Sequence, residues 1–140
     1  MKAEQEKRMP DEKMRLELGR SYMLDAEQSE LESDYIAAEG MYHICCELFS
    51  GLMQQFSVYG REAAGEYMHA LFRYASLPQI DSREKVQYLN QAYELAVKLE
   101  RETGELEYTI AMGCMEEEIE ELNKNIERQV SQKQWDVISF

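Results

Sequence analysis

Apolar residues spaced three and four positions apart between residues 35 and 56 constrain the fold more than any other feature of the chain. They form one row over three heptads: Tyr35, Ala38, Tyr42, Cys45, Phe49, Leu52 and Phe56. A second row lies beside it: Met41, Ile44 and Leu48. Because an α-helix turns once about every 3.6 residues, both rows fall on one broad face. A face this wide predicts a central helix that packs against several neighbours.

Similar helical patterns extend from Pro10 to Val130, and only 7 Gly and 2 Pro interrupt the 140 residues. The sequence therefore predicts an all-α fold, a compact bundle or stacked hairpins of four or five antiparallel helices. The expected helices span residues 10–28, 29–59, 61–76, 82–103 and 105–130. All of them belong to one domain, 1–140, with a frayed N-terminus at 1–9 and an apolar tail at 131–140.

The helix ends are inferred from capping signals. Pro10 suits the first position of helix 1, and Asp81 suits the N-cap of helix 4. Ser29 precedes Glu32 by three residues, which is a capping-box pattern, so helix 2 is expected to begin there. An alternative is that one helix continues through this point. Gly60 is expected to stop helix 2, and residues 103–104 are expected to end helix 4.

Two details of packing follow from the same patterns. In helix 1, residues four apart form an apolar row: Met14, Leu18 and Tyr22. In helix 2, Gly40 and Gly51 interrupt an otherwise well-formed helix, and each costs up to about 1 kcal/mol relative to Ala. We expect these two glycines to allow a neighbouring helix to approach closely.

A short stretch near the N-terminus resembles a tetratricopeptide repeat. The resemblance rests on the spacing of Leu18, Gly19, Tyr22, Tyr35 and Ala38. It implies helix–turn–helix pairing with a turn near residues 25–27, and it implies nothing about ligands. Leu31 stands where the repeat prefers Ala, and no second copy follows at the repeat's period of about 34 residues. The chain is therefore not assigned to that family.

The charge of the chain narrows its possible partners. The formal net charge is −13, and the acids concentrate on both sides of an apolar middle. Phosphate backbones and anionic membrane surfaces require a basic protein surface, so direct nucleic-acid binding and membrane binding are not expected. The three cysteines include an adjacent pair, Cys45 and Cys46, which suits free thiols better than a disulfide framework. We therefore expect a cytoplasmic protein.

Chemistry-bearing residues are few. Glu66 and His69 share one helix face, as ligands of a di-iron bundle would, but the second Glu-x-x-His pair such a site needs is missing. His43 with Cys45 and Cys46 lacks the spacing of a zinc site. No nucleophile elbow or phosphate loop occurs. The sequence therefore predicts a protein that is not an enzyme and has no metal or other cofactor.

Helix 5 and the tail carry the candidate interaction residues. Apolar positions expected to contact a partner protein are Met112, Met115, Ile119, Leu122, Ile126, Trp135, Ile138 and Phe140. The helix also carries an acid-rich face: Glu116, Glu117, Glu118, Glu120 and Glu121.

The favoured function is an adaptor or regulatory subunit that binds another protein through apolar helix faces. The first alternative is an inhibitor that imitates nucleic acid through its acid-rich face, and the second is a helical metal protein or enzyme. A homodimer is also expected, with helix 5 or the segment Trp135–Phe140 at the contact.

Overall fold

The computed structural model describes the backbone of residues 2–54 and 58–138 and the side chains of residues 11–54 and 58–133. Five α-helices follow one another: α1 (Lys2–Leu31), α2 (Tyr35–Gln54), α3 (Gly60–Ala75), α4 (Ser82–Thr103) and α5 (Leu106–Ile138). No strand occurs in these residues, so the fold is all-α, as the sequence predicts. None of the helices described combines the length and the apolar content needed to cross a bilayer.

The helices are stacked as consecutive antiparallel hairpins. Each packs mainly on the next along the chain, and α3 also contacts α1. One buried cluster joins α1, α2, α3 and the loop before α4. A second cluster joins α3, α4 and α5. Because α3 contributes to both clusters, it holds the two halves of the stack together.

The broad face of α2 forms the centre of the first cluster, as predicted. Five residues of its main row are buried: Ala38, Tyr42, Cys45, Phe49 and Leu52. Tyr35, at the start of the helix, remains 37% exposed. Phe56 lies outside the described residues.

The close helix approach occurs at Gly19 of α1, and the prediction that Gly40 and Gly51 provide it was wrong. A Cβ built on Gly19 would lie 2.5 Å from Cε1 of Phe49. A Cβ on Gly40 or Gly51 would have no neighbouring atom within 4 Å. The Cys45 thiol also donates a hydrogen bond to the carbonyl oxygen of Gly19, at 3.3 Å. Gly19 therefore lets the Phe49 ring lie directly against the α1 backbone.

The N-terminal boundary and the buried face of α1 differ from the prediction. The helix begins at Lys2, so Pro10 lies inside it rather than at its first position, and the fraying expected at residues 1–9 stays a prediction. Residues 2–9 are strong helix formers, which continue the helix on the N-terminal side of Pro10. Met14 and Leu18 are exposed, whereas Leu16 and Met23 are buried. The buried face follows Gly19, because contact with Phe49 decides which side of α1 meets α2.

The turn between α1 and α2 lies later than predicted. Ser29 is inside α1, and α2 is capped by Asp34, whose Oδ1 accepts a hydrogen bond from the Ala37 N–H at 3.3 Å. Residues 25–27, where the tetratricopeptide resemblance implies a turn, are helical. The Asp34 N–H donates to the Ser29 carbonyl, and the Ser33 N–H donates to the Glu30 carbonyl. These bonds form a Schellman motif, and Ser33 takes its left-handed position with φ 62°.

The conformation of Ser33 gives a stability prediction. A left-handed φ strains any residue that has a Cβ, so Ser33→Gly should raise the free energy of unfolding by about 0.5–1 kcal/mol. Ser21→Gly, at an exposed site inside α1, is the matched control and should lower it by a few tenths of a kcal/mol. Urea denaturation followed by circular dichroism measures both. A Ser33→Gly protein less stable than the wild type would contradict this account of the turn.

The later boundaries agree with the prediction except at two points. Asp81 caps α4 by accepting from the N–H groups of Arg83 and Glu84, and Gly104 ends the helix with φ 67°. Gly60 does not stop α2. It is the first residue of α3, where its φ is not positive and nothing requires a glycine. Helix α5 continues to Ile138 rather than ending at 130, because residues 131–138 contain no Gly or Pro to break it.

Candidate functional site

The predicted interaction stripe of α5 is mostly used by the chain's own core. Met115 is 2% exposed and Leu122 is 7% exposed, and both belong to the second buried cluster. Met112, Ile119 and Ile126 are half-buried. This face packs on α4 because α4 has its own apolar stripe opposite, and Met115 and Leu122 are therefore not free to contact a partner. For Trp135 and Ile138 only the helical backbone is described, and Phe140 lies outside the described residues.

The end of α5 extends beyond its neighbour. Helix α4 has 22 residues and α5 has 33, and the two are antiparallel with a short connection. At about 1.5 Å per residue, α5 is roughly 16 Å longer than α4. Its last three turns therefore pass the start of α4 and lie beside the loop that joins α3 to α4.

An open groove of about 880 Å³ lies where this part of α5 meets the loop and the first turn of α4. We call it the α4–α5 groove. Its lining consists of Pro78, Ile80, Asp81, Ser82, Arg83, Lys85, Ile126, Gln129, Val130 and Lys133. The apolar part of this lining comes from the loop and from α5, whereas the charged groups come from the loop (Asp81), α4 (Arg83 and Lys85) and α5 (Lys133).

Local hydrogen bonds hold the groove wall formed by residues 77–85. Nζ of Lys85 donates to the carbonyl oxygens of Ala75, at 2.9 Å, and Leu77, at 2.8 Å. These bonds satisfy carbonyls at the end of α3 and fix the loop against α4. Burial lowers the pKa of Lys85. Because the Asp81 carboxylate accepts from the first N–H groups of α4, those donors are already satisfied.

The rim of the α4–α5 groove is locally positive although the whole chain carries −13. Arg83 and Lys133 are exposed, and neither side chain has an ion pair with another described residue. Within the described lining, Asp81 is the one acidic residue, and it caps α4. The groove therefore combines an exposed apolar surface at Pro78 and Val130 with two cations able to meet a negative group.

The Glu-x-x-His pair of α3 is occupied by other contacts. Glu66 pairs with Arg20 at 3.4 Å, and Nε2 of His69 lies 4.0 Å from Oε1 of Glu27 on α1. In residues 11–54 and 58–133 no group of three or more potential metal ligands comes together. The expectation that the protein holds no metal stays a prediction, which elemental analysis of the purified protein tests.

The surroundings of the two adjacent thiols indicate a structural role. Cys45 is fully buried, and Cys46 lies between the two core clusters. Burial raises the pKa of each thiol to about 12, so both are protonated at neutral pH. Nε2 of His43 lies 3.3 Å from a carboxylate oxygen of Glu47, on the exposed side of α2. These three residues, which were considered and set aside as a zinc site, belong to no group of three potential metal ligands among the described residues.

The acid-rich face of α5 is exposed along its whole length, at Glu116, Glu117, Glu118, Glu120 and Glu121. Glu116 accepts a hydrogen bond from the Tyr93 hydroxyl at 2.8 Å, and Glu120 pairs with Lys124 at 3.5 Å. Successive helical residues are about 100° apart, so the carboxylates spread around the helix rather than forming one line. The arrangement gives the nucleic-acid mimic no specific support, and that alternative stays a prediction.

Comparison with known proteins identified no relative of this chain. No family model matches the sequence, and no curated protein or solved structure shows significant similarity to it. Function is therefore inferred from the geometry and the charge of the α4–α5 groove.

Proposed function

We propose that this chain is a protein-interaction module that binds an apolar, acidic segment of a partner protein in the α4–α5 groove. The observation that carries the proposal is the combination of the exposed apolar residues Pro78 and Val130 with the cations Arg83 and Lys133 on an otherwise acidic protein. A segment with apolar side chains on one side and a carboxylate beside them complements both features.

The shape of the groove favours a polypeptide segment over a small anion. The groove is open and runs between a loop and a helix, as surfaces that accept an amphipathic helix or an extended peptide do. A small anion would need several converging donors. Here the first N–H groups of α4 bond to Asp81, and Lys85 bonds to backbone carbonyls. The charge of −13 also opposes nucleic acid as the occupant.

The tail that the sequence marks as apolar is next to this groove. Helix α5 carries Lys133 at the rim and continues through Trp135 to Ile138. This proposal keeps the predicted role of the tail and replaces the buried part of the α5 stripe with the α4–α5 groove.

Affinity capture with two matched variants tests the proposal. Val130→Glu places a carboxylate in the groove, and Val58→Glu makes the same change at an exposed valine between α2 and α3. Proteins recovered from the source cell are quantified by mass spectrometry. We expect Val130→Glu to remove a protein that both the wild type and Val58→Glu retain. If Val130→Glu and the wild type recover the same proteins, the groove is not the binding site.

Once a partner has been identified, charge-reversal variants test the role of the groove's charge in binding. Lys133→Glu should weaken binding about two- to fivefold, because an exposed ion pair contributes up to roughly 1 kcal/mol. Lys98→Glu reverses an exposed lysine outside the groove and should leave the affinity unchanged. Titration by isothermal calorimetry measures both. Equal affinities for the two variants would show that the partner segment is not acidic at this point.

The expected homodimer stays a prediction, and its contact is now expected at Trp135–Phe140. Burial of Met115 and Leu122 removes the central α5 stripe as the contact. Light scattering on the full chain and on a chain ending at Ser131 tests this. A dimer that persists in the shortened chain would show that the contact lies elsewhere.

A further inference from the structure

A second, smaller pocket lies between α2 and α4. Both helices pack on α3, and α3 forms the floor of the space between them. The pocket has a volume of about 220 Å³. Its lining consists of His43, Cys46, Glu47, Ser50, Tyr67, Leu71, Tyr74, Tyr88 and Gln91. We call it the tyrosine pocket, because three of its walls are tyrosine side chains.

The aromatic walls stand at right angles to each other. The ring centroids of Tyr74 and Tyr88 are 4.8 Å apart, with an interplanar angle of 80°. Tyr67 lies one helical turn before Leu71 on α3, which forms the floor of the pocket. Its half-buried side chain packs against both core clusters, as that of Tyr88 does. Rings this close make an edge-to-face contact, so the pair offers the pocket the electron-rich faces that this contact leaves free.

The electrostatics of the tyrosine pocket favour a positive ligand. No lysine or arginine is among its described lining residues. Its one basic residue, His43, is beside the carboxylate of Glu47 at the rim. The Tyr74 hydroxyl donates to Oε1 of Glu39 at 3.5 Å, so a second carboxylate lies at the hydroxyl end of this pocket residue. Burial raises the pKa of both Tyr67 and Tyr74, so these phenols stay neutral at neutral pH. The surrounding charge of −13 adds a long-range attraction for cations.

We propose that the tyrosine pocket binds a methylated ammonium group, with Tyr67, Tyr74 and Tyr88 as its aromatic walls. A quaternary ammonium carries a diffuse positive charge that aromatic faces attract, and its methyl groups pack against Leu71 and Cys46. The pocket is too small for a folded partner, and it is separate from the α4–α5 groove. The proposal therefore stands independently of the function proposed above.

Other cations fit this surface less well. A bare ammonium or a metal ion keeps its hydration unless several oxygen ligands replace the water. The described lining consists of three tyrosines, Leu71, the protonated Cys46 thiol and the side chains of His43, Ser50 and Gln91, and its one carboxylate, Glu47, is exposed at the rim. A methylated ammonium gives up less hydration and needs no directed ligand. The pocket therefore favours methylated ammonium groups over other cations.

Paired ligands that differ only in charge test the proposal on the wild-type protein. Choline and its uncharged carbon isostere 3,3-dimethylbutanol are titrated while the tyrosine ring signals are followed by NMR. We expect choline to bind at least about tenfold more tightly, because a desolvated cation–π contact is worth roughly 1–2 kcal/mol. Equal binding of the two ligands, or no binding of choline, would overturn the proposal.

Two substitutions locate the binding and a third controls for unfolding. Tyr88→Leu should weaken choline binding about tenfold, whereas Tyr88→Phe keeps the ring and should stay within about threefold of the wild type. Tyr93→Leu lies on the same helix outside the pocket and should have no effect. Circular dichroism confirms that each variant is folded. Loss of binding in Tyr93→Leu, or none in folded Tyr88→Leu, would place the site elsewhere.

The source of the methylated ammonium is settled by one more titration. A peptide that contains trimethyllysine carries the same head group as choline. Tighter binding of the peptide assigns a modified protein as the ligand, and tighter binding of choline assigns a small metabolite. Either result supports the tyrosine pocket as a site for this chemistry, and failure of both overturns it. None of these measurements involves the α4–α5 groove, so they fail or succeed separately from the partner experiments.

Discussion

Replacing Phe49 with alanine should lower the free energy of unfolding by about 3–5 kcal/mol. Phe49 is 0% exposed and lies in the middle of the buried face of α2. Its ring contacts the backbone of α1 at Gly19, so truncation leaves a cavity between two helices that the remaining side chains do not fill. Urea denaturation monitored by circular dichroism gives the value directly.

Ile36 is the matched control for this truncation. It is on the same helix but 84% exposed, so Ile36→Ala should change the free energy of unfolding by less than about 0.5 kcal/mol. A loss below roughly 1 kcal/mol for Phe49→Ala would show that α2 is not the centre of the core. A large loss for Ile36→Ala would show that an apparently exposed face of α2 is covered.

Adding a methyl group at Gly19 should cost about 1–3 kcal/mol, whereas the same change at Gly40 should be neutral or stabilising by up to about 1 kcal/mol. At Gly19 the new Cβ would lie 2.5 Å and 2.8 Å from Cε1 and Cζ of Phe49, and this ring is enclosed on all sides. At Gly40 the new Cβ meets nothing within 4 Å, so only the better helix propensity of alanine remains.

Thermal and urea denaturation of the two single variants tests this contrast, and a double variant tests its cause. Phe49→Leu shortens the side chain that the new methyl group meets. Combined with Gly19→Ala, it should therefore cost less than the sum of the two single changes. Additive losses would show that the cost at Gly19 has another origin. Equal effects of alanine at Gly19 and Gly40 would contradict the close approach itself.

The sequence predicts the helices well where local signals decide them. The bounds of α4 follow from the cap at Asp81 and from the glycine at 104, and both signals act within one turn of the chain. The buried row of α2 follows from its spacing alone. The sequence does not predict which face of α1 is buried, because that depends on the approach of Phe49 to Gly19 from another helix. The left-handed Ser33 was missed because glycine usually takes that position.

The candidate sites were harder to predict than the fold. Pro78 and Val130 line one groove although 52 positions separate them, and only the stacking of α4 on α5 brings them together. Tyr67 and Tyr88 belong to different helices, and nothing in the sequence shows that a pocket remains between α2 and α4. A stripe of apolar residues does not distinguish a partner surface from an internal one, and this is why Met115 and Leu122 were assigned to a partner.

Site-specific photo-crosslinking at Val130 tests the proposed function most directly. A photoreactive amino acid replaces Val130 in the α4–α5 groove, and the same residue at Val58 serves as the control. After irradiation in the source cell, mass spectrometry identifies the crosslinked peptide. The account predicts one partner segment, apolar and acidic, that is crosslinked from position 130 and not from position 58. Crosslinks from position 130 only to this chain, to basic segments, or to the same proteins as from position 58 would contradict it.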